Sequence, residues 1–462
     1  MKKIILISLD TLRADHLGCY GYERNTSPVI DSLARESSRF ERAFSACSYT
    51  GPSFASLLTS MYPSFNYMRF YNGKSLLPER KEPFLQEILK EKGFCTAAFV
   101  STIVLNKKLT RFNDGFDLYD DEANLSEANR PNILFRRGEE TTDKALSWLR
   151  DHYQGDFFLW VHYMDIHGPY MPPSPYDEMF IDDGFWRKEP VLLESIPTPN
   201  QYERCPEDYR PGIFDYQLLK ESGSGEYEKN VDHYIARYDG AIRYADSQVE
   251  RLLAELRTLG IYDDTLVIIH SDHGEALGEN GIYFFHGLTV TFEQIRVPLI
   301  IKRPFQREAE EFISMPVSLI DLTPTVLGQF GLQGDYGFNG IDLFKDAHFP
   351  RKLFSQMVKQ LSMIEGDIQV LYGKGWFERE YGNIFGFDID ERHCLLPSEL
   401  RITDLKNISS VFPENSKEEM RSFISKAQAR SRDLVPGLSM PEDEEIKKRL
   451  AALGYMDAGG SL

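Results

Sequence analysis

Three apolar runs constrain this chain more than anything else in it: Lys3-Ile4-Ile5-Leu6-Ile7-Ser8-Leu9, Phe157-Phe158-Leu159-Trp160-Val161-His162-Tyr163-Met164 and Thr265-Leu266-Val267-Ile268-Ile269. They lack the apolar–polar alternation of a strand with one wet face, so each predicts a strand buried on both sides. Each run ends in residues of another kind. The first stops at Asp10, the second at Asp165 with His167 just beyond, and the third at His270-Ser271-Asp272-His273-Gly274-Glu275. In an open α/β sheet the carboxyl ends of the strands face the ligand crevice. Three strands would thus deliver carboxylates and imidazoles to one edge. Oxygen and nitrogen donors converging there suit a hard or borderline divalent metal.

Helical patterns fill the gaps. Ser27 reads as an N-cap, with Pro28 at the first helical position and an apolar stripe of Ile30, Leu33 and Ala34. Further helices are predicted over 51–60, 83–92, 139–153 and about 228–259, with one over 318–330 starting near Pro324. Strands are predicted over 94–100 and 297–302. The expected class is α/β, a mostly parallel central sheet sandwiched by helices. Residues 171–224 break the rhythm, being rich in Pro, Tyr, Asp and Glu, and read as a functional insertion or lid. From about 346 the pattern changes to strands at 352–357 and 362–373, the latter a hairpin around Glu365-Gly366-Asp367. Charged sequence over 413–432 and a short helix at 443–450 follow. The chain's 462 residues exceed one simple core, so we expect a catalytic domain over 1–345 and a smaller C-terminal α+β subdomain over 346–462.

A formal charge of −19 argues against unaided binding to nucleic acid or an anionic membrane. It leaves an anionic small molecule open, because a bound metal reverses the local field. Five cysteines, widely spaced and without a CxxC pair, suggest a reducing compartment and no disulfide framework. Met1-Lys2-Lys3 and its short apolar run reach Asp10 too soon for a signal peptide and read as the first strand. No apolar segment is long enough for a membrane span. Together these features predict a cytoplasmic protein.

Thr50 opens the helix Gly51-Pro52-Ser53-Phe54-Ala55-Ser56-Leu57-Leu58-Thr59-Ser60. A hydroxyl at a helix N-terminus, where backbone N–H groups and the dipole favour an anion, can bind a metal, lose its proton and attack phosphorus or sulfur. On local sequence alone the commoner reading is that Thr50 is simply the N-cap.

Several segments, in order along the chain, resemble the sulfatase family of the alkaline phosphatase superfamily. They are Ser8-Leu9-Asp10-Thr11-Leu12-Arg13-Ala14-Asp15-His16-Leu17-Gly18-Cys19-Tyr20-Gly21, Thr50-Gly51-Pro52-Ser53-Phe54-Ala55-Ser56-Leu57-Leu58-Thr59, His162-Tyr163-Met164-Asp165-Ile166-His167-Gly168-Pro169-Tyr170 and Ser271-Asp272-His273-Gly274-Glu275-Ala276-Leu277-Gly278-Glu279. The closing Arg449-Leu450-Ala451-Ala452-Leu453-Gly454-Tyr455 is similar too. The resemblance implies an α/β sandwich with a small C-terminal four-stranded antiparallel sheet. It implies Asp10, Asp272 and His273 as metal ligands, with Thr50 as the nucleophile that also touches the metal. It further implies His167 as the grip on the non-bridging oxygens of the substrate anion. His286, in Phe284-Phe285-His286-Gly287, falls near the leaving-group oxygen as general acid; its plainer reading is a surface-loop histidine. Arg13 could meet the substrate or form a structural ion pair. Asp165 orients His167 or caps a turn, and His162 reads as a satisfied core residue within its strand.

Two departures from the family matter. The formylglycine motif needs Cys or Ser, then Pro and Arg at fixed spacing, whereas Thr50, Pro52 and Phe54 stand here. The usual pair of adjacent aspartates is reduced to Asp10-Thr11. Both changes resemble the threonine-nucleophile branch, which implies no formylglycine. Formylglycine hydrate expels sulfate on collapse, whereas a sulfated threonine would itself need hydrolysis; a phosphorylated threonine is a workable intermediate with metal help. Pro169 stands where two-metal phosphodiesterases have a second-site histidine, so one ion is expected, Mg, Mn or Ca ahead of Zn. The reading is a metal-dependent hydrolase of phosphate, phosphonate or sulfate esters of a small molecule or carbohydrate, phosphorus esters favoured. Its alternatives are a transferase of the phospho group to a sugar or lipid hydroxyl, a true sulfuric ester hydrolase, and a catalytically weak binding scaffold.

Overall fold

The computed structural model describes residues 1–63, 69–71, 74–76, 82–126, 134–181, 183–185, 189–195, 219, 227–279, 282–287, 289–306, 311–345, 351–357, 360–365, 368–372, 402–404, 422–423 and 426. The three apolar runs form adjacent strands at the centre of a nine-stranded sheet. The chain runs through β1 (Lys3–Leu9), α1 (Pro28–Ala34), β2 (Ser38–Phe44), α2 (Thr50–Thr59), α3 (Leu85–Glu91), β3 (Cys95–Phe99), β4 (Leu118–Asp120), α4 (Gly138–His152), β5 (Phe157–Tyr163), α5 (Val231–Thr258) and β6 (Thr265–His270). It continues through β7 (Arg296–Val297), β8 (Leu299–Lys302), β9 (Glu311–Ser318) and α6 (Leu322–Gln329). Across the sheet β8 is followed by β6, β1, β5, β3 and β4; β2 lies beside β8 and pairs with β7 and β9 as well. The run from β6 to β4 is parallel, as are β2 and β9, while β8 is antiparallel to both β6 and β2.

The unalternating runs are explained by helices on both faces. Ile4, Leu6, Phe158, Trp160, Leu266 and Ile268 pack against Phe54, Leu58, Ile88 and Val326 from α2, α3 and α6. The intervening residues Ile5, Ile7, Leu159, Val161, Val267 and Ile269 pack against Ile30, Leu149, Ile242 and Val249 from α1, α4 and α5. Period-two strand geometry makes each run feed two cores. Ser27 precedes α1 as expected, but its hydroxyl bonds Asp31. The free N–H groups of Val29 and Ile30 are capped by Asp246 of α5, at 3.1 and 2.8 Å.

Three strands of the large sheet, β2, β4 and β9, lie outside the strands predicted from the sequence. A small antiparallel sheet of β10 (Lys352–Met357), β11 (Gln360–Glu365), β12 (Ile368–Tyr372) and β13 (Ile402–Asp404) stands where the C-terminal strands were expected. It is fixed to the loop before α2, through Ser355 Oγ to the Ser45 carbonyl at 2.6 Å and Gln356 N–H to the Ala46 carbonyl at 2.8 Å. The expected helix at 443–450, most of 413–432 and most of 196–224 lie outside the described residues. Cys19, Cys47 and Cys95 are free thiols. Among the described residues no helix is long and apolar enough to cross a membrane.

Candidate active site

Register decides what meets at the sheet edge. Ser8 of β1 pairs with His162 of β5 on one side and His270 of β6 on the other, so the residues just beyond these strands emerge together. Asp10 and Asp272 are each 1% exposed, and all four of their carboxylate oxygens lack a hydrogen-bond partner. His273, fully buried, donates Nδ1–H to the Gly274 carbonyl at 3.0 Å. That bond fixes the tautomer and turns the Nε2 lone pair toward Asp272 Oδ2 at 3.4 Å, Asp10 Oδ1 at 3.8 Å and Thr50 Oγ1 at 3.1 Å. Ligand atoms of Asp10, Asp272 and His273 lie within 4.8 Å of one another.

This donor set fits a cation. Uncompensated buried carboxylates are costly, and four unpartnered oxygens around one imidazole nitrogen leave a positive ion as the natural counterpart. Electrostatics agree. Burial, reinforced by the charge of Asp10, pushes the Asp272 carboxyl up. Burial also opposes ionisation of Asp10, yet the facing imidazoles of His162, His167 and His273 hold its carboxyl below the usual range. Burial works against a charged His273, but Asp272 and Asp10 raise it above the ordinary histidine value.

Thr50 is the first residue of α2, and the N-cap is Tyr49. The simple N-cap reading is therefore wrong: Thr50 is fully buried, its hydroxyl turned to His273. Directly after Asp10, Thr11 adopts a left-handed backbone with φ of 58°, a strained state for a β-branched residue. Tyr238 braces this turn, its hydroxyl donating to the Thr11 carbonyl at 2.8 Å and accepting from Arg13 N–H at 3.0 Å.

His286 follows a hairpin of Ala276–Leu277 and Tyr283–Phe285 and is buried, not a surface-loop residue. Its ring centroid is 4.3 Å from that of His273 and 4.9 Å from that of His167. Glu275 Oε1 lies 3.1 Å from His286 Nδ1, and Tyr170 donates to Oε2 at 3.2 Å. Burial pushes the Glu275 carboxyl up to about 7, against the pull of His167, His273 and the Tyr170 hydroxyl. Sequence reasoning assigned no role to Glu275, although it stands two residues past His273 in the most distinctive segment of the chain. His167 donates Nδ1–H to the Gly168 carbonyl at 2.6 Å.

Arg13 takes the ion-pair alternative. Its guanidinium is shared among Asp15, Glu279 and the Glu275 carbonyl at 2.7 to 3.1 Å, and those partners raise it well above the ordinary arginine value despite burial. Phe54, where a formylglycine motif carries arginine, is fully buried against Trp160, His162 and His270.

Asp165 caps α4, its Oδ1 accepting from Gly138 N–H at 3.1 Å while Oδ2 has no partner. Burial pushes its carboxyl up to about 6, against the pull of Arg137 and of that N–H. The folded value thus exceeds the unfolded one of about 4. The stability this group contributes is complete below pH ~4 and is lost as pH rises through ~6. Asp165→Asn keeps the cap and cannot ionise. It is expected to match the parent at pH ~4 and exceed its stability by about 2 kcal/mol at pH ~8, measured by urea denaturation.

The sulfatase family profile matches residues 2–332. An ulvan-active sulfatase of Formosa agariphila is 26% identical over 356 residues, covering 74% of this chain and 64% of that protein, just under two thirds of its length. A multifunctional alkaline phosphatase superfamily protein of Trinickia caryophylli is 26% identical over 387 residues, covering 71% of this chain and 74% of that one. The solved phosphonate monoester hydrolase of Silicibacter pomeroyi shares the fold, with a TM-score of 0.63 at 19% identity over 94% of this chain and 96% of its own. The profile spans most of the chain and includes Asp10, Thr50, Asp272, His273 and His286, so the chain belongs to the sulfatase family.

Proposed function

We propose that the protein is a metal-dependent ester hydrolase with Thr50 as its encoded nucleophile, and that it acts on phosphate or phosphonate esters ahead of sulfate esters. The observation that carries this reading is the Thr50 hydroxyl at the first turn of α2, 3.1 Å from His273 Nε2 and beside two buried, unpartnered carboxylates. Asp10, Asp272, His273 and Thr50 would hold one divalent ion, whose charge would acidify the threonine hydroxyl and stabilise the ester oxygens. Three of those four donors are oxygens, which favours Mg, Mn or Ca over Zn.

The Thr50 hydroxyl gives its proton to solvent and Oγ1 attacks phosphorus opposite the departing oxygen; the Oγ1–P bond forms as the ester bond breaks. With Nδ1 engaged by Glu275, His286 offers Nε2–H to the leaving oxygen. His167 steadies the non-bridging oxygens from Nε2. Water then attacks the phosphorylated threonine, giving a proton back to His286 and another to Thr50, so ester and water become alcohol and phosphate. Glu275 holds the general acid in one tautomer throughout.

The test is turnover of the purified chain on chromogenic phosphate monoester, phosphate diester, phosphonate and sulfate substrates, with each metal supplied separately. Metal-dependent phosphorus-ester hydrolysis is expected, with phosphate recovered on the Thr50 peptide after acid quench. Hydrolysis of sulfate esters alone would overturn the phosphorus preference. A phosphoryl-threonine that discharges to added sugar or glycerol but not to water would replace the hydrolase by a transferase.

A further inference from the structure

Beneath the candidate metal site, three polar side chains stand side by side on the central strands: Ser8, His162 and His270, all fully buried. Two of them form a closed network. Ser8 Oγ lies 2.7 Å from His270 Nε2 and accepts from Trp160 Nε1–H at 3.0 Å, while His270 Nδ1 meets the Ser271 carbonyl at 3.1 Å. His270 is held neutral by burial, its value pulled down to about 4. His162 differs. Its Nε2 has no hydrogen-bond partner and faces Asp10 Oδ2 at 3.5 Å.

The other ring nitrogen favours one tautomer. Ser101 Oγ accepts the Met164 N–H at 2.8 Å, so its own hydrogen is free for His162 Nδ1, 3.4 Å away. Nδ1 then accepts, and Nε2 carries the proton toward Asp10 Oδ2. The Phe54 ring, edge-on at 5.4 Å between centroids, backs the imidazole. His273 approaches the opposite oxygen, Oδ1, at 3.8 Å. His162 lies outside the trio whose ligand atoms converge within 4.8 Å, so its place is behind the carboxylate.

We infer that His162 is a positioning residue for Asp10: Ser101 sets its tautomer, and its Nε2–H holds Oδ2 so that Oδ1 is presented to the ion. The inference rests on the proposed metal site. Outer partners of this kind hold ligand orientation, and their loss weakens metal binding by about 10–100-fold.

The experiment is Mn2+ titration of the chelator-stripped full chain. His162→Leu, which keeps bulk and removes the donor, is expected to bind Mn2+ about 10–100-fold more weakly. His162→Gln, whose amide N–H can replace Nε2–H, should stay within about threefold of the parent, and Ser101→Ala should lose several-fold. Parental affinity in His162→Leu, or equal losses in the Leu and Gln variants, would overturn the inference. Should His162→Leu fail to fold, unchanged Mn2+ affinity in Ser101→Ala would overturn it instead. A parent that binds no Mn2+, Mg2+, Ca2+ or Zn2+ would overturn the metal site itself, a result distinct from any difference among variants.

Discussion

Thr50→Ala is expected to lose turnover by at least about a thousandfold while metal affinity changes by less than about tenfold. The variant removes the one oxygen that would form the covalent bond, and little else. Thr50 is the first residue of α2, its neighbours in that helix are all buried, and its hydroxyl contacts only His273 among the described hydrogen-bond partners. Asp10, Asp272 and His273 remain to hold the ion. Thr50→Ser restores a hydroxyl without the methyl that fixes its rotamer and should recover most of the activity. The measurements are kcat on the best substrate of the parent and Mn2+ titration of each stripped variant. Undiminished kcat in Thr50→Ala would remove Thr50 from the reaction.

Asp272→Asn is expected to stabilise the metal-free protein and to lose most of that advantage when metal is present. In the stripped protein the variant should be more stable than the parent, because burial and the charge of Asp10 raise the Asp272 carboxyl in the folded state. That raised value sets the sign: the contribution of Asp272 is complete below its unfolded value near 4 and is lost as pH rises through the folded one. The advantage of asparagine should therefore be small at pH ~4 and greatest at pH ~8. Metal offsets this advantage. At one hundred times Kd a bound ion adds about 2.7 kcal/mol to the parent, but only about 0.4 kcal/mol if the variant binds a hundredfold more weakly. Thermal melts with EDTA and with Mn2+, at both pH values, read out the narrowing. Destabilisation of the stripped variant would show that the Asp10–Asp272 repulsion has another partner.

The parts of this fold written in local chemistry are legible in the sequence. β1, β5 and β6 appear as unalternating apolar runs because two helical layers cover them. Asp10, Asp272 and His273 are visible because charge at the end of such a run has nowhere ordinary to go. β2 was hidden for the opposite reason. In Ser38-Arg39-Phe40-Glu41-Arg42-Ala43-Phe44 the charged residues mask a strand that pairs with three others. Ser27 holds the N-cap position of α1 as read, but the side chain that meets the free N–H groups is that of Asp246, 217 residues away from Val29. His162 looked like a core residue and is as buried as one; only register reveals that its nitrogen meets Asp10. Glu275 was passed over because its partner, His286, lies across a hairpin that local periodicity does not announce.

The position of β1 has a consequence for the chain as it is made. Lys3 pairs with Phe157 on one side and Thr265 on the other, so β1 is made before both of the strands it lies between. At typical synthesis rates its second neighbour leaves the ribosome on the order of 10–50 s later. Until β5 emerges this almost wholly apolar strand has unpaired edges on both sides, and until β6 emerges it has one, the condition under which nascent chains aggregate or recruit chaperones. Asp10 travels at the end of that strand, so the first residue of the candidate site to be synthesised is among the last to find its neighbours.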